Sequence, residues 1–138
     1  MTQKKALQDL LVAIEAGSAV QQDEGWMHLP CTRHDDGKMS SHMGRAWRSY
    51  HGSMDAAKAL HDAVLPGWWY QVGSCHLSDD ARVSPDFNCP VHGADLALEY
   101  DPSIDWADLT DVDQRPAGNP ARAWLTAQIK ALIAGCDE

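Results

Sequence analysis

The chain has 138 residues, of which 44% are hydrophobic and 22% charged, the size and composition of a single globular domain. Its formal net charge is −9, and the excess is local: residues 77–138 carry 12 acidic and 4 basic side chains, against 8 and 7 in residues 1–76. Such a surface argues against direct nucleic-acid binding, because affinity for phosphate comes largely from Lys and Arg. No apolar run approaches the ~20 residues that cross a bilayer.

The start of the chain predicts an amphipathic helix over about Gln3 to Ala16, with Leu7, Leu10, Leu11 and Ile14 as one stripe and Gly17 at the stop. It lacks the apolar centre of a secretory signal, so a cytoplasmic protein is expected, and the four cysteines are then expected as thiols or metal ligands before disulfides. Glu24 to Leu29 is a short strand candidate around Trp26. Pro30 to Ser41 reads as loop, and Met43 to Tyr50 as a helical turn. Ser53 should cap a second helix with Asp55 in its first turn, where the helix dipole favours an anion. Pro66-Gly67 ends it, and Trp68 to Val72 follows as a strand.

Ala81 to Ser84 is another short strand candidate. Asp95 to Tyr100 alternates, with Leu96, Leu98 and Tyr100 on one face, and is expected as a half-buried strand. An acidic loop follows over 101–118, with a turn of helix near Ile104 to Leu109. Asn119-Pro120 opens the last helix, whose stripe is Trp124, Leu125, Ile129, Leu132 and Ile133. The expected core is Leu10, Ile14, Leu60, Val64, Trp68, Leu96, Leu98, Leu125, Ile129 and Leu132. Three helices and about four strands predict an α/β (α+β) domain over 1–138 with an antiparallel or mixed sheet.

Three segments in order carry a family resemblance: Tyr50-His-Gly-Ser-Met-Asp-Ala-Ala-Lys-Ala-Leu60, Leu65-Pro-Gly-Trp68, and Asn119-Pro-Ala-Arg-Ala-Trp-Leu-Thr-Ala-Gln-Ile-Lys-Ala-Leu132. Together they resemble the small phage and prophage proteins of the phage ABA-sandwich domain type. Met54 stands where that pattern usually has Leu. The resemblance implies a phage or prophage origin and an α-β-α layered sandwich. It supplies no catalytic residues.

Cys31-Thr-Arg-His34 and Cys89-Pro-Val-His92 share one spacing, and two thiolates with two imidazoles would complete a tetrahedral zinc site. The chain has no nucleophile motif, phosphate loop or zincin helix, so no enzymatic activity is expected. Asp101, Asp105, Asp108, Asp111 and Asp113 belong to a stretch from Asp95 to Asp113 with seven acids and no Lys or Arg. That stretch could attract a basic protein surface. In the run Trp68-Trp69-Tyr70, alternation sends Trp69 to the opposite face from its neighbours. A sandwich covered on both faces would bury Trp69, whereas an exposed Trp69 would be a binding anchor.

The expectation is therefore a non-enzymatic phage accessory protein that binds a host or phage protein with a basic surface, such as a host defence factor. The alternative is a small metal- or ligand-binding module using the Cys/His loops.

Overall fold

The computed structural model describes residues 3–20, 23, 25, 26, 29, 31–33, 39–41 and 43–135. In chain order these form α1 (Gln3–Glu15), β1 (Cys31–Arg33), β2 (Met39–Ser41), α2 (Met43–Tyr50), α3 (Met54–Val64), β3 (Trp68–Ser74), β4 (Asp79–Pro85), α4 (Gly93–Glu99), α5 (Trp106–Thr110), β5 (Val112–Gln114) and α6 (Pro120–Ala134). The fold is mixed α/β, with six helices and a three-stranded antiparallel sheet of order β3-β4-β5 among the described residues. A separate hairpin pairs β1 with β2, Cys31 opposite Ser41. None of the described helices is long and apolar enough to cross a membrane.

Local signals set several of the boundaries. The Ser53 hydroxyl accepts from the Ala56 N–H at 3.1 Å, and the Asn119 side-chain oxygen accepts from the Arg122 N–H at 3.0 Å. Each satisfies a helix-start donor that would otherwise lack a partner. Gly67 turns the chain from α3 into β3 at φ 85°, and a Cβ there would stand 2.5 Å from that of His92. Glycine is the residue that fits both demands.

α6 organises the interior. Its small residues Ala123, Ala127 and Ala131, with Trp124, join the cluster under the sheet, which includes Trp68, Ala81, Val83 and Val112. Leu125 and Ile129 join a second cluster with Leu7, Leu10 and Ile14 of α1 and Ala46 and Tyr50 of α2. α3 adds Ala57 to the first cluster and Leu60 to the second. Two sides of α6 are apolar and serve different layers, while Arg122, Thr126 and Lys130 share a third side. The Ser49 hydroxyl ties α2 to the Ala121 carbonyl at 2.9 Å.

The sheet has one covered face. Along β4, Asp79, Ala81, Val83 and Pro85 are buried, while Asp80, Arg82 and Ser84 alternate with them and stay half-buried. Their cross-strand partners on the covered face are Ser74, Val72, Tyr70 and Trp68. Where β5 has not yet begun, Thr110 completes the ladder: its hydroxyl accepts from Val83 N–H at 2.9 Å and donates to Val83 C=O at 2.7 Å.

Several expectations need correction. The layers run from the α1/α2 side through α6 to the sheet. The second face carries exposed Trp69 and Gln71 with half-buried Asp80, Arg82 and Ser84, and three sheet strands with six helices stand, among the described residues, where about four strands and three helices were expected. Asp95 to Glu99 is helical, and Tyr100 is its extended C-cap, its N–H donating to the Leu96 carbonyl. Leu98 then points outward and is 89% exposed, so it leaves the core list. Val64 and Leu132 are half-buried at the core's edge. Gly25 and Trp26 form a 3₁₀ turn instead of a strand, pressed on α1 so closely that a Cβ on Gly25 would collide with Leu10 and the Ala6 carbonyl. The 30–41 segment contains the β1–β2 hairpin, and the 101–118 segment holds α5 and β5.

Candidate functional site

The uncovered sheet face is the most distinctive surface. Period-two alternation places Trp69, Gln71 and Gly73 of β3 there, opposite Ser84, Arg82 and Asp80 of β4, and Asp80 in turn faces Asp113 of β5. Trp69 is 38% exposed. Gly73 makes room for its neighbour, since a Cβ there would lie 2.7 Å from Asp80 Oδ1. Arg82 Nε lies 3.8 Å from Asp111 Oδ1 across an exposed pair. The face is thus an aromatic platform bordered by Asp80, Asp111 and Asp113, with Arg82 among them.

Two buried groups hold this strand pair, and the sequence reading singled out neither. His61 of α3 is 1% exposed. Trp124 Nε1–H can only donate, and it reaches His61 Nδ1 at 3.3 Å, so His61 Nε2–H donates to the Trp68 carbonyl at 3.0 Å. Burial is the largest influence on His61 and pushes its pKa below the ordinary value, against the hydrogen bond to Trp68. The imidazole is neutral and fixes the backbone immediately before Trp69. Its place on the Ala57, Leu60 and Val64 stripe of α3 was the available sequence signal.

Asp79 is fully buried at the other end of β4. Its Oδ1 accepts from the Ser74 hydroxyl at 2.5 Å, and its Oδ2 from Gln114 Nε2 at 3.3 Å, Gly118 N–H at 3.0 Å and Asn119 N–H at 2.7 Å. Burial pushes its pKa up, but these donors together outweigh it and hold the carboxyl below its ordinary range. Asp79 therefore fastens β3, β5 and the start of α6 to one point.

The acidic residues do not form a cation-free projecting loop. Asp101 closes a turn on the Ser103 N–H at 2.9 Å and hydroxyl at 2.7 Å, which lowers its pKa. Asp105 caps α5 on the Asp108 N–H at 3.1 Å, and Asp108 is exposed in that helix's first turn. Asp111 faces Arg82, and Asp113 pairs with Arg115 at 3.4 Å. Trp106 and Thr110, both buried, anchor the segment.

Of the zinc candidates, His34 and the side chain of Cys31 lie outside the described residues. Cys89 is a free, half-buried thiol whose carbonyl accepts from the Gly93 N–H at 2.8 Å. His92 precedes α4 and packs against Gly67. Among the described residues no three His, Cys, Asp or Glu side chains gather where they could hold a metal. Cys75 is an exposed thiol in the β3–β4 turn, its pKa lowered by hydrogen bonds from the backbone of Leu77 and Ser78.

No family model, no curated protein and no solved structure matches the chain.

Proposed function

We propose that this chain is a non-enzymatic binding protein of the phage accessory kind, and that a basic surface of a partner protein docks on the open sheet face around Trp69. The observation that supports it is Trp69 itself: a large aromatic side chain, 38% exposed, beside exposed Gln71 on the sheet face away from the buried Ala81 and Val83. Tryptophans in such settings are frequent interface anchors. Asp80, Asp111 and Asp113 at the border give the charge complementarity, and at low salt they would steer a cationic partner toward the aromatic platform. The phage-type motifs support the origin, and host defence proteins that read nucleic acid carry basic surfaces of this kind.

A pull-down from host lysate supplies the partner, and binding kinetics test the reading. Trp69→Ala is expected to weaken binding by a factor of ~30 or more, the size of an interface hot spot, with unfolding unchanged. Asp111→Asn with Asp113→Asn should slow association and flatten its salt dependence. A partner whose affinity ignores Trp69→Ala, salt and both Asn replacements overturns the proposal.

A further inference from the structure

Three cations of this acidic chain line two adjoining hollows, Arg115 in both, Arg122 in the larger and Lys130 in the smaller. Arg115, Arg122 and Lys130 line a trough between the end of α1 and the 114–119 segment, formed by adjoining hollows of about 390 and 190 Å³ that share Glu15, Gln114 and Arg115. Its carboxylates are Glu15 and Asp113, so the lining is locally cationic in a chain of net charge −9. Apart from Asp113 the trough shares no residue with the open sheet face.

Two of the cations have local partners. Lys130 Nζ donates to the Asp111 carbonyl at 2.9 Å, and Arg115 pairs with Asp113. Arg122 is different. It is half-buried, its Nε–H donates to the Tyr50 carbonyl at 3.0 Å, and its guanidinium carbon lies 4.1 Å from the centre of the Tyr50 ring. These contacts fix the plane of the guanidinium. Among the described residues no carboxylate pairs with it. Its Nη1 lies 3.8 Å from where a Cβ on Gly17 would stand, at a φ of 72°, so the absent side chain keeps the space beside the guanidinium open. A rigid guanidinium with free terminal N–H groups is matched to the two oxygens of a carboxylate or phosphate.

We propose that this trough binds a small organic oxyanion, a carboxylate or a phosphate monoester, gripped by the terminal N–H groups of Arg122 with Arg115 at the rim. The larger hollow is near the lower end of the ~300–1,000 Å³ typical of ligand pockets, which limits the ligand to a few heavy atoms beyond its anionic group. Glu15 in the wall would suit a ligand that also carries a cation.

The test is a titration of the purified protein with sodium acetate and with inorganic phosphate, at ionic strength held constant with chloride, followed by NMR at the Arg122 Nε–H and at the Gly118 and Asn119 amides. Saturable shifts with a Kd on the order of 1 mM are expected for at least one probe, and which probe saturates separates carboxylate from phosphate recognition. Arg122→Lys keeps the charge, removes the planar guanidinium, and should weaken binding about tenfold or more. Ala117→Glu leaves Arg122 in place, puts a competing carboxylate in the trough, and should abolish the shifts even if Arg122→Lys fails to fold. Arg82→Gln, on the open sheet face, should leave binding unchanged. Absence of saturation with both probes, or binding indifferent to Ala117→Glu, overturns the proposal.

Discussion

Removing the Asp79 side chain should be one of the most damaging single changes in the chain. Asp79→Ala strands four donors, three of which converge on Oδ2. The Ser74 hydroxyl and the Gln114 amide can turn toward water, but the Gly118 and Asn119 N–H groups are fixed by the backbone. Stranded partly buried donors cost ~1–3 kcal/mol each, so the variant should lose ~3–5 kcal/mol. Asp79→Asn separates geometry from charge. With its oxygen in the Oδ2 place it keeps three donors satisfied, and its amide can donate to Ser74, so the loss should be ~1–2 kcal/mol, mostly the charged character of the bonds. Urea unfolding followed by tryptophan fluorescence measures both. The ionised group also links stability to pH. Its folded pKa is held below the ordinary 3.8, so its contribution is complete above that value and disappears as pH falls from 3.8 through the lowered pKa. An Asp79→Ala loss under ~1 kcal/mol, or an acid limb identical in Asp79→Asn and wild type, would refute the assignment.

His61 acts on the same acid side as Asp79, but starting nearer neutrality. The folded protein holds it neutral with a pKa below 6.5, so the unfolded chain binds the proton more readily, and stability should fall as pH drops from 6.5 toward the lowered pKa. His61→Gln should remove that slope in urea unfolding measured between neutral and mildly acidic pH; an unchanged slope would assign it to other groups. The zinc reading of Cys31, His34, Cys89 and His92 is decided by metal analysis of purified protein. About one zinc per chain, with stability lowered by a chelator, would support it, and metal-free, chelator-insensitive protein would remove it.

Signals confined to a few residues were legible in the sequence. Ser53, Asn119-Pro120 and Gly17 lie where a helix needs a cap or a stop, and the structure uses them so. The segment from Asp95 to Tyr100 reads as a strand because Leu96, Leu98 and Tyr100 satisfy a period of two, while the helix that forms needs only Leu96 inside and ends before Tyr100. Ala and Leu between them favour the helix. Layer order was harder, because the face of the sheet that meets water depends on which helix is buried. The clue was α6, whose Ala121, Ala123, Trp124, Leu125, Ala127 and Ile129 spread beyond one face and leave Arg122 and Lys130 as its only charged residues. Asp79 gave no sequence signal at all, since its Gln114, Gly118 and Asn119 partners lie 35 to 40 residues away. The exposure of Trp69 follows from the layer order, so it too could only be posed as an alternative.

The hydroxyl of Thr110 has a consequence for how these molecules can meet one another. By occupying both polar groups of Val83 it closes the margin of β4 that β5 leaves bare. β5 itself is three residues long and runs within two residues into Pro116, and short margins of this kind resist pairing with another chain. The opposite margin, β3, is seven residues long; among the described residues no strand lies beyond it, and only its start is closed, the Trp68 N–H and carbonyl being held by Leu65 and His61. Growth of the sheet is therefore open in one direction. Two copies joined along the rest of β3 would make a six-stranded sheet whose outer margins are the short β5 strands, which resist further pairing.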